Sequence, residues 1–317
     1  MSGGVDSSTA AAILVDEGHE VTGITMKIWD GSITVNENGK HACYGPDEAD
    51  DIRDAQSVCD KLGIELKIID LSVEYKQEIL DYFTSEYKAG RTPNPCVKCN
   101  LKMKFGLLLK KAAESGLDFD YFATGHYARI RQNETGRYQL MRSLDEKKDQ
   151  TYFLYALSSK QLSSVQFPLG RYQKKAVKEI SRKYNLGVAD RKESQNFIAG
   201  GHACLFDGQT NPGDIVDIRG QKLGEHEGIF NYTIGQRRGM GIASAEPLYV
   251  IKIDSQKNQI LVGGKKDLFS KRFRLKNPVW NTDIDLNQPF NVFAKIRYAH
   301  RGGEAIIRKE SEEFVVT

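Results

Sequence analysis

A chain of 317 residues with 40% hydrophobic and 9% aromatic content is too long for one small domain and carries enough apolar material for two or three ordinary cores. Its formal charge of +3, from 45 basic and 42 acidic side chains, excludes neither a polyanion nor a small molecule as ligand. No apolar run reaches membrane-span length, no signal peptide leads the chain, and five cysteines, an odd number, argue for reduced cytoplasmic thiols over a disulfide framework.

The chain opens on Met1-Ser2-Gly3-Gly4-Val5-Asp6-Ser7-Ser8. Two glycines allow a tight turn and close backbone approach to a ligand, and the good helix formers Ala10 to Leu14 follow. Unpaired N–H groups and the positive end of a helix dipole suit such a turn to phosphate. No Gly-Lys-Ser/Thr follows, so this is not a Walker loop. Ser-Gly-Gly-Val-Asp-Ser-Ser resembles instead the PP-loop of ATP pyrophosphatases, which implies binding of pyrophosphate and cleavage of ATP between its α and β phosphates. Loops of that type follow a buried parallel strand, and none precedes Met1. Phe314-Val315-Val316-Thr317 reads as a strand that simply stops. The expectation is therefore truncation at both ends, with an open apolar edge at 314–316.

Residues 20–26 read as a strand, 47–62 as a helix with Ile52, Ala55, Val58, Cys59 and Leu62 on one face, and 64–70 as a strand. Helices are expected near 74–88 and 101–115, and 120–125 closes a further βα unit. The alternation predicts an α/β fold with a doubly wound parallel sheet, whose ligand lies at the carboxyl ends of the strands. Met26, the opening loop and Thr124-Gly125-His126 should converge there. From about 205 the texture changes to hairpins: 213–218 with 223–226, 249–254 with 259–262, and a third around Arg301-Gly302-Gly303. This predicts a catalytic domain over 1–200, a small connector over 201–264 and a C-terminal β-barrel, incomplete, over 265–317. The last holds 11 Lys/Arg against 7 Asp/Glu, a lean towards a polyanionic partner.

Arg91-Thr92-Pro93-Asn94-Pro95-Cys96-Val97-Lys98-Cys99-Asn100 precedes a basic amphipathic helix. A CxxC serves as a redox pair, half a zinc site or a cluster ligand set, and no second CxxC or His pair at zinc spacing exists here. A thiol near a helix N-terminus and beside Lys98 should have a lowered pKa and be nucleophilic. From the residues alone, a reactive pair and a structural pair are evenly matched.

Six motifs in order give the chain a resemblance to the tRNA-specific 2-thiouridylases (MnmA/TrmU type) over essentially its whole length. They are the loop at 2–8, Met-Lys-Ile-Trp at 26–29 and Arg-Thr-Pro-Asn-Pro-x-x-x-Cys-Asn at 91–100, then Ala-Thr-Gly-His-Tyr-Ala-Arg at 123–129, Lys-Asp-Gln-Thr-Tyr-Phe-Leu at 148–154 and Tyr-Thr-Ile-Gly-Gln-Arg-Arg-Gly-Met-Gly-Ile-Ala at 232–243. The resemblance implies an adenine-nucleotide hydrolase-like fold and ATP-dependent 2-thiolation of uridine 34 in tRNAs for Lys, Glu and Gln. ATP and Mg²⁺ take part, and a persulfide donor or relay protein supplies sulfur. It implies ATP contacts by Met1, Ser2, Gly3, Gly4, Val5, Asp6, Ser7, Ser8, Met26 and Gly125, with Mg²⁺ near Asp6. Cys99 falls at the nucleophile's position, and Asn94, Pro95 and Cys96 at positions meeting the target base, where many relatives have Asp in place of Cys96. His126, Lys148, Asp149, Gln150, Arg297 and Tyr298 fall at tRNA-contacting positions.

One departure stands out. The family carries its persulfide on a Cys directly before Phe-Ile, whereas this chain reads Glu193-Ser194-Gln195-Asn196-Phe197-Ile198. Cys204 and Cys96 are the remaining candidates for a second thiol, and Cys96, Cys99 and Cys204 together are a candidate iron–sulfur ligand set. The alternative reading is a tRNA-binding family member with impaired sulfur transfer. His41, His202 and His226 lack ligand spacing. Arg237-Arg238 is a candidate phosphate contact, and Cys59 a core residue.

Overall fold

The computed structural model describes residues 1–33, 42–191, 196–206 and 208–317; His41, Glu193, Ser194 and Gln195 lie outside them. The opening loop runs into helix α1 (Val5–Asp16), buried on nearly every side from Ser8 to Leu14. Strand β1 (Gly23–Lys27) and strand β2 (Ala42–Tyr44) precede helix α2 (Glu48–Leu62), which stops at Gly63 in the left-handed region, φ 67°. Strand β3 (Leu66–Asp70) pairs in parallel with β1, Gly23 opposite Leu66 and Lys27 opposite Asp70. Two long helical stretches follow. Ser72–Tyr75 and Asp81–Lys88 are joined by a π-turn at Lys76–Leu80, and Pro95–Cys99 and Leu108–Glu114 by another at Asn100–Leu107.

Strands β4 (Phe122–Ala123), β5 (Ala128–Gln132), β6 (Tyr138–Arg142), β7 (Val165–Gln166) and β8 (Asn196–Ile198) complete the first unit, with a helix at Lys174–Lys183. β4 pairs in parallel with β7 and β2 with β8, while β5 and β6 form an antiparallel hairpin. The βα alternation and parallel pairing agree with the sequence, but one continuous doubly wound sheet is not what forms. Among the described residues the parallel strands make separate two-stranded pairs. Instead of pairing, β1 and β4 both line a cavity of about 730 Å³.

The second unit is a four-stranded sheet of β9 (Gly213–Val216), β10 (Lys222–His226), β11 (Tyr249–Asp254) and β12 (Gln259–Gly263), in the order β10-β9-β12-β11. Both predicted hairpins are present, joined by a parallel β12/β9 contact over a core of Ile215, Val250, Ile260 and Val262. The third unit contains β13 (Phe273–Leu275), β14 (Phe290–Ala294), β15 (Gly303–Glu310) and β16 (Glu313–Val316). They form an antiparallel sheet in the order β13-β16-β15-β14, not a closed barrel.

The expected open edge at 314–316 is overturned. β16 lies between two partners, and Val315 and Val316 are 1% and 3% exposed. The third unit rests on the β5–β6 hairpin through Arg137, which pairs with Asp283 at 2.9 Å and donates to the Trp280 carbonyl at 2.8 Å. No helix among the described residues is long and apolar enough to cross a membrane.

Candidate active site

The loop at 2–8 is held from three directions. Gly3 has φ +63°, and a Cβ there would lie 2.6 Å from the Asp51 carbonyl. Arg191 donates to the Gly3 carbonyl at 3.0 Å and ties itself to α2 through Asp51 at 2.5 Å and through Asp54. Asp6 receives the Lys174 ammonium on both oxygens, at 2.7 and 2.8 Å, and the Tyr127 hydroxyl at 3.0 Å. Gly125 abuts the loop itself: a Cβ on it would meet the Asp6 carbonyl carbon at 2.6 Å and the Ser7 nitrogen at 2.7 Å. Sequence position explains the first-turn chemistry. Gly4 caps α1 without any side-chain acceptor, and the first intrahelical bond runs from Ser8 N–H to the Gly4 carbonyl. The earlier N–H groups of the turn therefore have no intrahelical partner, which suits an anion. Of the expected ATP contacts, Met1, Ser2, Gly4, Val5, Asp6, Ser7, Met26 and Gly125 line the cavity between β1 and β4 while Gly3 and Ser8 do not, and His126 and Gln150, expected to meet tRNA, line it too.

The thiols depart from expectation. Asn94 caps a helix beginning at Pro95, its side-chain oxygen accepting from Val97 N–H at 3.2 Å, so Cys96 and Cys99 lie inside the helix and not ahead of one at 101. Cys99 is pushed up to about 12 by burial, with Lys104 the opposing influence, and the protein atoms crowded around Cys96 raise it too, although that side chain reaches solvent. The lowered pKa is thus overturned. Lys98 is engaged elsewhere, 3.4 Å from Glu78 and 5.0 Å from the centre of the Tyr82 ring.

Cys204 donates to the Gly201 carbonyl at 3.0 Å, and packs with Cys99 and Phe197 on one apolar cluster containing Tyr44, Tyr75 and Ile198. No group of three metal-ligating side chains exists among the described residues, so an iron–sulfur cluster on Cys96, Cys99 and Cys204 is not supported. Sequence reasoning passed over Cys43. It is exposed, lines the cavity between β1 and β4, and acts electrostatically on both Cys96 and Cys99. Its strand pairs with β8, Ala42 opposite Asn196, where the family thiol is lacking. Cys59 is fully buried against Gly23, as expected of a core residue.

The remaining predicted contacts divide. His126 shares a 2.7 Å hydrogen bond with Thr124 Oγ1, and burial holds its imidazole well below its usual pKa, hence neutral. Gln150 is fixed on Tyr127 by two bonds of 2.9 Å, one from its own N–H and one to its side-chain oxygen. Asp149 accepts from Ser143 N–H at 2.9 Å and Thr151 N–H at 3.1 Å, so its carboxylate orders the turn before the helix at Thr151–Leu154. Lys148 lies in that same turn, its N–H donating to the Asp145 carbonyl. The Tyr298 ring lies tilted against Phe153 at 4.8 Å, on the 148–154 segment, whereas Arg297 donates to the Ile234 carbonyl at 2.9 Å, on the 232–243 segment. Arg237 and Arg238 are exposed, while His226 is bonded to the Asn258 carbonyl and His202 stacks on Tyr87.

Two family descriptions match the chain: the tRNA methyl transferase HUP domain over residues 1–199 and the tRNA methyl transferase PRC-barrel domain over 207–264. The unit expected as a nondescript connector is therefore PRC-barrel-like. Many relatives carry the name tRNA-specific 2-thiouridylase MnmA, three of them as follows. That of Endomicrobium trichonymphae is 43% identical, covering 99% of this chain and 88% of its own. That of Carboxydothermus hydrogenoformans is 41% identical, covering 99% and 87%, and that of Syntrophomonas wolfei 44%, covering 97% and 86%. A solved NMN synthetase from Francisella tularensis aligns with TM-score 0.34 at 20% identity over 66% of this chain and 67% of its own, too little to carry an argument.

Proposed function

Since the chain belongs to the tRNA-specific 2-thiouridylase family, we propose that it replaces the 2-oxygen of the wobble uridine of tRNA by sulfur at the expense of ATP. The observation that carries the reading is the convergence of a glycine-turned, uncapped helix start with Met26 and Gly125 on one cavity, lined also by Cys43 and by Lys104 from the helical stretch that continues the Cys96–Cys99 turn.

The 2-carbonyl of uridine is urea-like, and its oxygen leaves poorly. Transfer of AMP from ATP onto that oxygen releases pyrophosphate, which the unpaired N–H groups of the 2–8 loop would hold. The terminal sulfur of a cysteine persulfide then adds to C2 and AMP departs. A second thiol takes the sulfur–sulfur bond, leaving 2-thiouridine and a protein disulfide, which a thiol reductant returns to the free thiols. Cys99 is the assigned nucleophile. For its partner the exposed Cys96 and Cys43 are better presented than Cys204, whose hydrogen is engaged by a carbonyl. Both Asp6 oxygens accept the Lys174 ammonium, so Mg²⁺ would enter near Asp6 together with ATP rather than as a resident ion, and it would supply charge neutralisation to the phosphates.

Asn94, Pro95 and Cys96 would meet the base, and His126, Lys148, Asp149, Gln150, Arg297 and Tyr298 the RNA around it. The tRNAs would be those for Lys, Glu and Gln, and a persulfide-bearing protein the sulfur source in the cytoplasm. Domain limits of 1–200, 201–264 and 265–317 fit this division of labour. Incubation with ATP, Mg²⁺, a persulfide donor and tRNA should yield 2-thiouridine and AMP by mass spectrometry. Neither product appearing would refute the reading.

A further inference from the structure

An acid at the phosphate end of a nucleotide loop poses an electrostatic problem. Asp6 is the acidic residue in the first turn of α1, and it lines the cavity. Its charge favours the helix dipole but repels a polyphosphate seeking the same N–H groups. The charge is answered from 168 residues away. Lys174 opens the helix at Lys174–Lys183, where its own N–H donates to Asp145 Oδ2 at 3.0 Å. From there its ammonium reaches both Asp6 oxygens and lies 5.7 Å from the Tyr127 ring centre. Tyr127 closes the arrangement by donating its hydroxyl to Asp6 Oδ1.

The Lys174 and Asp6 side chains are 13% and 28% exposed, so the pair is screened by water far less than a surface ion pair. Of the two cationic side chains that line the cavity among the described residues, Arg191 is committed to Gly3, Asp51 and Asp54, and Lys104 comes from the helical stretch at Asn100–Leu107. Lys174 itself does not line the cavity, so it acts through Asp6 and not on the ligand.

We propose that Lys174 is the built-in counter-ion of the phosphate loop: a positioning residue that neutralises and orients Asp6, doing there what a protein-held metal ion would otherwise do. The proposal rests on the loop being the ATP site. It predicts an asymmetry that mere structural support would not produce. Removing the ammonium alone exposes an uncompensated carboxylate beside the phosphates. Removing both charges restores a neutral loop.

The test is equilibrium ATP binding, alongside Mn²⁺ binding without nucleotide by electron paramagnetic resonance. Lys174→Met should weaken ATP binding about tenfold or more and should create a Mn²⁺ site absent from the wild type. Lys174→Arg should bind ATP nearly as the wild type does. The uncharged pair Asp6→Asn with Lys174→Met should regain most of the ATP affinity and lose the Mn²⁺ site. Thermal melts of each variant report folding separately. Wild-type ATP affinity in Lys174→Met would overturn the proposal. So would a double variant that folds yet binds ATP as weakly as the single one. A wild type that binds no ATP would instead overturn the reading of the loop, and the counter-ion with it.

Discussion

Gly125→Ala probes one of the two tightest contacts at the loop, equalled by that of Gly3. The added Cβ would sit 2.6 Å from the Asp6 carbonyl carbon, 2.7 Å from the Ser7 nitrogen and 2.8 Å from the Asp6 oxygen, whereas ordinary van der Waals contact begins at 3.4 Å. The loop or β4 must therefore retreat by about 0.8 Å, the gap between 2.6 and 3.4 Å. All three atoms are backbone, so no rotamer change absorbs the clash. Overpacking of this kind costs ~1–3 kcal/mol, which in a unit of ~200 residues lowers the melting temperature by roughly 3–10 °C. A shift approaching 1 Å in groups that position a reacting phosphate is worth up to about a hundredfold in rate. The control is Gly4→Ala: φ is −86°, and the nearest atom is Ser2 Oγ at 3.6 Å, so the fold should accept the methyl. Thermal melts and ATP-dependent AMP release would be compared across the three proteins. Gly125→Ala melting with the wild type and keeping its ATP KM would refute the claim that Gly125 sets the loop's position.

Cys99, pushed up to about 12, is a neutral thiol at pH 7, so a step limited by its thiolate should speed up as pH rises, about tenfold per unit between pH 7 and 9. A flat single-turnover profile over that range would remove Cys99 as the limiting nucleophile. Cys43→Ser should cut turnover at least about tenfold while Cys204→Ser leaves it within a factor of about three, as read by 2-thiouridine formation; the reverse order would return the second-thiol role to Cys204. Val315→Asp, at a 1% exposed site on a strand paired on both sides, should destabilise the third unit by ~3–4 kcal/mol, seen as a lower urea midpoint; an unchanged midpoint would contradict the central place of β16.

What the sequence disclosed and what it withheld follow from the range of the interactions. The 2–8 loop, α2, β3 and the hairpins of the second unit were legible because glycine turns, 3.6-residue periodicity and turn residues are local signals. The start at Pro95 was missed although its signature was present: an Asn followed by Pro is a cap and first helical position, and it places Cys99 inside the helix. The thiol pKa went wrong for the same reason, since burial of Cys99 depends on packing against Tyr44, Tyr75 and Ile198 from three other segments. The supposed open edge at 314–316 failed because neither β13 nor β15 can be assigned to β16 from spacing alone. Cys43 had no visible partner because its neighbours lie on a helix more than fifty residues on.

The loop's tethers carry a further consequence. Asp6 is held by residues 121 and 168 positions away, and Gly3 by one 188 away. None of these contacts exists until the Tyr127 segment, the Lys174–Lys183 helix and Arg191 have docked on α1 and α2. The phosphate-binding geometry is therefore a property of the assembled first unit and not of its first eight residues, despite the completeness of the motif there. By linkage, a ligand that binds only the assembled loop stabilises every segment that orders it. Protection on ATP binding should accordingly reach Tyr127 and Arg191 as well as the glycines, because opening any one tether releases the backbone on which the nucleotide depends.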